Sequence, residues 1–373
     1  MSKRVVGFVG YRGMVGSVLI DRMRREADFD DIEPVFLSTS QVGQAGPILG
    51  NQPTVLADAY DLQTLKKLDI IVTCQGSDYT QKVHSKLRQA GWQGYWIDAS
   101  SELRMKDSSV LLLDPVNREQ IGNALSSEVR DLIGANCTVS TMLMGLAGLF
   151  KHDLVEWVQP DSYQAVSGAG AAYVKELLQQ MQVLGVATGE MLDDPAASLA
   201  DIDKQAAKTL TSLDFPTESF GHPIAANILP WIDSEVDGGQ SREEWKAGVE
   251  TNKLLDTSRL IPVDGTCVRV GSLRSHAQAI TIKLKRDVPL EEIEEIISSA
   301  HEWVKLVPNN RQATLRQLTP VAVSGTLDIA VGRVRKLSLG SEYLSAFVVG
   351  DQLLWGAAEP LRRGLRIVLE QTK

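Results

Sequence analysis

Cys137 stands between Asn136 and Thr138 at the mouth of a long apolar run, Val139 to Phe150, whose pattern is helical. A strand-like segment, Val129 to Ile133, precedes it, and Gly134 breaks the apolar pattern. The cysteine therefore falls where the chain turns from strand to helix. Free amide groups at a helix start carry partial positive charge and favour thiolate over thiol. The thiolate is the nucleophilic form, so Cys137 is a candidate for covalent catalysis. A lone cysteine is otherwise a small buried hydrophobe. What sets this one apart is a nucleotide-binding signature near the N-terminus and an Arg/His segment downstream.

That segment reads Arg269-Val270-Gly271-Ser272-Leu273-Arg274-Ser275-His276. Arginine clamps a carboxylate through two parallel hydrogen bonds, and histidine moves protons near neutral pH. Arg269 and His276 are seven positions apart, so an unbroken strand would point them to opposite faces. For both to face one pocket the strand must bulge or bend, and Gly271 is the natural place. His84, His152, His222 and His301 read as structural. Arg104 and Lys246 offer cations to an anionic substrate, lysine being a usual phosphate partner. Glu243 suits a substrate ammonium. Taken singly, Arg104 and Lys246 read as surface charges, and Glu243 as part of an exposed helix face. Gln164 opens Gln164-Ala165-Val166-Ser167-Gly168-Ala169-Gly170, a stretch between an apolar strand and a helix that can approach a ligand or simply turn the chain.

Gly7-Phe8-Val9-Gly10-Tyr11-Arg12-Gly13-Met14-Val15-Gly16 places glycines every third residue between a strand and a helix. Such a turn lets backbone approach a pyrophosphate, and the helix start supplies amide donors. Gly16 falls inside the helix and serves close packing. An acidic residue after the second strand would bind a ribose 2′-hydroxyl and repel a 2′-phosphate. Here stand Ser38-Thr39-Ser40, with Arg12 available to neutralise a phosphate, which favours NADP over NAD. Beyond the third strand, Gln75 is a possible cofactor contact and Cys74 a packing residue.

These residues need a frame. Val5–Val9, Pro34–Leu37, Asp69–Thr73, Tyr95–Asp98 and Val110–Leu113 read as strands, alternating with helices at Val15–Arg25, before Lys67, and at Thr80–Ala90. Short branched apolar runs separated by helices imply a parallel sheet covered on both faces. After Cys137 the pattern changes. Val155–Val166 and Arg259–Lys285 are strand-rich, with helices near Ala171–Leu184 and Ala196–Ser212 between them. Glu291–Val304 reads as a helix, and Thr319–Ile329 and Leu344–Val349 as strands. The expected fold is α/β: a Rossmann-type doubly wound parallel sheet plus a second α+β domain with a mixed or antiparallel sheet. The expected division is a dinucleotide-binding domain, 1–135, completed by a C-terminal helix, 357–373, and a catalytic and dimerisation domain, 136–356.

The chain has 373 residues, enough for two domains. Its 43% hydrophobic and 23% charged content is ordinary for a globular protein. No long uninterrupted apolar run suggests a membrane span, and the first residues read as a strand rather than a secretory signal. A net charge of −9 argues against nucleic acid as a main partner. Three widely spaced cysteines show no metal-ligand spacing and suit a reducing cytoplasm.

Gly10–Ser17, Phe36–Gln41, Asn136–Thr138, Ser241–Lys246, Arg269–His276 and Gly350–Pro360 together resemble the aspartate-β-semialdehyde dehydrogenases of bacterial type, almost end to end. The resemblance implies reversible NADP-linked interconversion of β-aspartyl phosphate and aspartate β-semialdehyde plus phosphate. That step serves synthesis of lysine and diaminopimelate, threonine and methionine. It implies Cys137 as thioester nucleophile and His276 as acid/base. Gln164 would position substrate, with Arg269 at its carboxylate, Glu243 at its amino end, and Arg104 and Lys246 at phosphate. Arg12, Gly13, Met14, Val15, Thr39, Ser40, Gln75, Ser167, Gly168 and Gln352 would contact the cofactor, no metal would be needed, and the chain would form a cytoplasmic homodimer. One departure is Ala135, where the family often has a second glycine. Two rival readings differ in class or substrate: another acyl-phosphate reductase, acting on N-acetyl-γ-glutamyl phosphate, and a nucleotide sensor without catalysis. A glyceraldehyde-3-phosphate dehydrogenase is disfavoured by Ser38–Ser40.

Overall fold

A computed structural model describes residues 3–49 and 52–371. Its first sheet has seven strands, in the order Ala57–Asp58, Ile32–Ser38, Arg4–Val9, Ile70–Thr73, Tyr95–Asp98, Asp131–Gly134, Ser109–Leu112. Every pairing among them is parallel. Arg4–Val9 lies between Ile32–Ser38 and Ile70–Thr73. The chain therefore leaves the first strand to one side and later returns on the other. A crevice opens at the carboxyl ends where the direction reverses, which is where such sheets bind ligands. Both faces are covered, and the near-continuous apolar runs of Val6, Phe8, Ile70 and Val72 reflect that burial.

The C-terminal helix, Glu359–Gln371, packs against Met14–Arg25 and the strands Tyr95–Asp98 and Asp131–Gly134. Leu361, Leu365 and Val368 join the same apolar core as Val6 and Phe8. Thr372 and Lys373, the last two residues of the helix expected from the sequence, lie outside the described residues.

The second sheet also has seven strands: Ile228–Leu229, Cys267–Val270, Val155–Gln164, His276–Leu284, Gly340–Gly350, Ile329–Leu337 and Val304–Leu306. It is mixed, with parallel pairing of Val155–Gln164 to Cys267–Val270 and antiparallel pairing through its centre. The helix Cys137–Lys151 packs on it and against the helices Arg242–Leu255 and Leu290–Ser298.

Several local expectations need correcting. Thr319–Ile329 is not a strand. Thr319 caps a short helix, Pro320–Val323, by accepting from the Ala322 amide, with proline in the first turn where its missing donor costs nothing. The strand starts later, at Ile329. The helix expected over Glu291–Val304 ends at Ser298, and Val304–Leu306 instead becomes an edge strand parallel to Ile329–Leu337. The helix near Ala171–Leu184 continues to Asp193. An antiparallel pair, Ala45–Leu49 with Gln52–Val55, had no clear signature in the sequence.

Candidate functional site

Asn136 caps the helix that begins at Cys137. Its side-chain oxygen accepts from the amides of Thr138 at 2.8 Å and Val139 at 3.3 Å, and from the Thr138 hydroxyl at 2.6 Å. This puts Cys137 in the first helical turn, beyond the carboxyl end of the strand Asp131–Gly134. Gly356 lets the sulfur's residue sit there: a Cβ on it would lie 2.6 Å from the Cys137 Cβ and 2.9 Å from its Cα. Gly356 belongs to a single π-helical turn, Leu354–Ala358, a widening of the helix often found at functional sites.

His276 does not share one bent strand with Arg269. The segment forms two strands, Cys267–Val270 and His276–Leu284, which flank Val155–Gln164 on opposite sides. Gln164 registers with Arg269 on one side, and Tyr163 with Ala277 on the other. Arg269, Gln164 and His276 therefore fall in one row across the sheet and reach the same face. The odd spacing is resolved by a loop that steps over the central strand, not by a bulge at Gly271. The left-handed backbone in that loop is at Ser275, φ 74°.

One residue, Ala165, fixes both side chains through the two peptide groups that flank its Cα. The Ala165 amide donates to His276 Nδ1 at 3.1 Å, and the Ala165 carbonyl accepts from Arg269 Nη1 at 2.8 Å. The other imidazole nitrogen, Nε2, lies 3.3 Å from the Cys137 sulfur. Because Nδ1 is an acceptor, the proton of the neutral ring resides on Nε2 and points at the sulfur. His276 is fully buried, and burial together with the adjacent Arg269 guanidinium pushes its pKa down to about 3.

Burial likewise pushes the Cys137 thiol up to about 12, reinforced by the Glu243 carboxylate, while Arg104, Arg269 and Lys246 pull it down without prevailing. This direction opposes the thiolate favoured by the helix start. A helix terminus is worth roughly 0.3–1 kcal/mol, less than one pKa unit, whereas desolvation shifts a group by several.

The helix Arg242–Leu255 delivers the remaining charges. Ser241 and Glu244 form a reciprocal cap at its start, and Glu244 also accepts from the Cys267 amide at 3.1 Å, hitching the helix to the strand that carries Arg269. Glu243 accepts from Asn136 Nδ2 at 2.9 Å, from Lys246 Nζ at 3.0 Å and, more weakly, from Gln164 Nε2 at 3.4 Å. Burial alone would raise the Glu243 pKa, but Lys246, Asn136 and Arg104 together hold it below the usual carboxylate range. Lys246 also donates to Asp233 at 2.7 Å. Arg104 is buried, donating to Gly134 O at 2.7 Å, Ala99 O at 3.1 Å and Glu250 at 3.1 Å. Neither cation is the surface charge that its sequence neighbourhood suggests.

Arg104, Cys137, Gln164, Ser167, Gly168, Glu243, Lys246, Arg269, Gln352 and Val15 line one cleft of about 930 Å³. His276 lies behind its floor and reaches it through the sulfur. Arg12, Gly13, Thr39, Ser40 and Gln75 line a second hollow of about 390 Å³. The residues expected to meet a cofactor are therefore divided between the two, and Met14 lines neither. Gln352 ties its end of the set together, accepting from the Ser275 amide at 2.7 Å and donating to the Ser167 hydroxyl. His222, expected to be structural, lies on the cleft wall with Tyr173, Phe220 and Trp231. Asn136 and Glu250 were assigned no role from sequence. A side-chain cap is legible before an apolar helix, but a glutamate in mid-helix carries no such mark.

The second hollow fits the phosphate-bearing end of a dinucleotide. Gly10 has φ 75°, and a Cβ there would lie 2.6 Å from the Cys74 carbonyl carbon, so the turn lies tight against the loop after Ile70–Thr73. Gly13 precedes the helix Met14–Arg25 without a side-chain cap, leaving amides for an anion. No carboxylate follows Ser38, whose hydroxyl accepts from the amides of Ser40 and Gln41. Arg12 is exposed beside this rim, bonded to Gln41. Among the described residues no cluster could hold a metal, and no helix is long and apolar enough to cross a membrane.

The pattern described as semialdehyde dehydrogenase, NAD binding domain, matches residues 5–124, and that described as semialdehyde dehydrogenase, dimerisation domain, matches residues 146–355. Among solved structures, the chain is similar to an aspartate semialdehyde dehydrogenase from Francisella tularensis, at 51% identity and TM-score 0.94, covering 98% of this chain and 99% of that one. It shares its fold with aspartate semialdehyde dehydrogenase II from Vibrio cholerae, complexed with ASA, at 22% identity and TM-score 0.80 over 100% of both chains. It also shares the fold of the Candida albicans enzyme with NADP, at 16% identity and TM-score 0.65 over 99% of both.

Proposed function

The chain belongs to the semialdehyde dehydrogenase family and is an enzyme of the aspartate semialdehyde type with a pyridine nucleotide cofactor; on that premise we propose that it reduces β-aspartyl phosphate to aspartate β-semialdehyde, reversibly and with NADP, through a thioester on Cys137. The observation that carries this reading is the Cys137–His276 contact of 3.3 Å at the floor of a cleft walled by Arg269, Glu243, Arg104 and Lys246. The same reading assigns the step to lysine and diaminopimelate, threonine and methionine synthesis, in a cytoplasmic homodimer. It divides the chain into a dinucleotide-binding part, 1–135 with 357–373, and a catalytic and dimerisation part, 136–356.

Arg269 takes the substrate carboxylate and Glu243 its ammonium, with Gln164 between them. Glu243 is now engaged by Lys246. A substrate ammonium competing for that carboxylate loosens Lys246 for the phosphate, beside Arg104. The Cys137 sulfur then bonds to the acyl carbon, and the bond from that carbon to the phosphate oxygen breaks. A thioester carbon is electrophilic where a carboxylate carbon is not, so one hard step becomes two easier ones. Val15, Ser167, Gly168 and Gln352 would hold the reactive end of the cofactor, and Arg12, Gly13, Thr39, Ser40 and Gln75 its far end. When bound, the reduced nicotinamide supplies the hydride.

Proton accounting gives His276 its part. Reduction of the acyl phosphate consumes one proton overall. The departing phosphate takes the one the Cys137 thiol gives up as sulfur bonds to carbon, and the thiolate released when the second adduct collapses regains one from solvent. The carbonyl oxygen becomes negative in each tetrahedral adduct and recovers its double bond when the adduct collapses, so it needs no permanent proton. A neutral imidazole holding its proton at Nε2 can donate a hydrogen bond to that oxygen throughout. Such donors typically contribute about 3 kcal/mol. His276 thus serves as a donor more than as the shuttling acid/base implied by the resemblance.

The decisive assay is phosphate-dependent NADPH formation from aspartate β-semialdehyde, run beside N-acetyl-glutamate γ-semialdehyde. Turnover of the first alone is expected, because Glu243 needs a charged amine. Preference for the acetylated compound would transfer the enzyme to the rival reductase activity. No turnover of either would leave only a nucleotide-binding protein.

A further inference from the structure

Glu250 lies two turns along the helix from Glu243, is 2% exposed, and spends each carboxylate oxygen on a different part of the site. Oε1 accepts from Arg104 Nη1 at 3.1 Å. Oε2 accepts from the backbone amide of Asn136 at 2.7 Å. Asn136 is the residue before the nucleophile and the cap of its helix. Its side-chain amide is held from the other direction by Glu243, which is paired with Lys246. One helix face therefore grips Asn136 by backbone and by side chain, and each gripping carboxylate carries one of the two cations assigned to phosphate. The next turn adds Lys253, whose ammonium donates to the carbonyls of Arg104 at 2.6 Å and Lys106 at 2.7 Å.

We propose that Glu250 is a positioning residue that links the phosphate-binding Arg104 to the backbone next to Cys137, setting the place of both. The proposal rests on the phosphate role given to Arg104 above. Breaking a buried ion pair by removing one charge leaves the other uncompensated. Arg104 still has Gly134 and Ala99 as acceptors but loses the carboxylate in direct contact with it. The Asn136 amide needs an acceptor of either charge. Glu250→Gln keeps an acceptor for Asn136 and removes the charge from Arg104. Glu250→Asp keeps the charge and shortens the arm by one methylene, so it cannot span both partners.

The test is steady-state kinetics in the phosphorylating direction, varying inorganic phosphate, aspartate β-semialdehyde and NADP separately. For Glu250→Gln, KM for phosphate is expected to rise about tenfold while kcat changes less than threefold. For Glu250→Asp, kcat is expected to fall about tenfold as well. KM for NADP should stay within twofold in both. A buried residue with a merely structural role would lower the melting temperature and leave KM for phosphate and kcat of the folded enzyme unchanged; that result in either variant overturns the proposal. If Glu250→Gln does not fold, Glu250→Asp is judged by the same two constants. A wild-type enzyme without phosphate-dependent turnover is a different failure, that of the assigned reaction.

Discussion

The two hollows are built from different materials. The nucleotide hollow is mostly backbone: a glycine turn, the amides of a helix start, and hydroxyls after the second strand, with Arg12 exposed at its edge. The chemical end of the cleft gathers charge: Arg104, Glu243 and Arg269 are buried and held by partners from distant parts of the chain, Lys246 is paired with Glu243 and Asp233, and Glu250 lies behind Arg104. A backbone site tolerates change in its side chains and fails when a Cβ intrudes. A charged, desolvated site fails when one member is removed, because its partners are left unpaired. The cofactor end should therefore lose function in small increments and the chemical end in large ones.

The largest contrast is expected at the sulfur. Cys137→Ser should lower turnover by roughly four orders of magnitude and leave the NADPH dissociation constant within twofold, as measured by fluorescence titration. Retained turnover would end the covalent scheme. Gly356→Ala comes next. It adds a methyl 2.6 Å from the Cys137 Cβ and 3.2 Å from the Gln352 Cβ, away from the second hollow, and displacing a reacting group by about 1 Å costs on the order of 10²-fold in kcat. Full activity in that variant would mean the π-turn does not set the position of the nucleophile.

The third contrast concerns protonation. With the resting thiol near 12, its thiolate fraction grows about tenfold per pH unit below that value. Alkylation of Cys137 in the unliganded enzyme by a neutral reagent should therefore climb about tenfold per unit from pH 7 to 10, without a plateau. A plateau near neutrality would place a thiolate–imidazolium pair in the resting enzyme and return His276 to proton shuttling. The smallest effect belongs to the nucleotide rim. Arg12→Ala removes one exposed cation, which is worth about 1 kcal/mol, so KM for NADPH should rise roughly fivefold while KM for NADH is unmoved. Equal changes for both would remove Arg12 from the 2′-phosphate.

Legibility followed the same division. The glycine turn, the serines after the second strand and the cap before Cys137 are local signals, because each depends on neighbours a few positions away. They led to the doubly wound sheet and its cofactor edge. Arg269 and His276 were recognisable as a pair, yet their route to one face was misjudged. Whether an odd spacing means a bulge or a step across another strand depends on what lies between them, and that is Gln164, more than 100 positions earlier. Thr319–Ile329, expected as a strand, opens instead on a helical turn, for which the Thr319 cap and the proline decide.

Six of the seven strands of the first sheet, the glycine turn and a nucleophile at a helix start were determined by sequence alone, because short-range sterics and apolar periodicity specify them. Only the tertiary structure decided the charges and protonation of the site. Whether Cys137 rests as thiol, which nitrogen of His276 bears the proton, and that Glu250 joins Arg104 to Asn136 depend on burial and on partners brought together through space. Desolvation and long-range hydrogen bonds are properties of the packed molecule, and no local pattern in the chain encodes them.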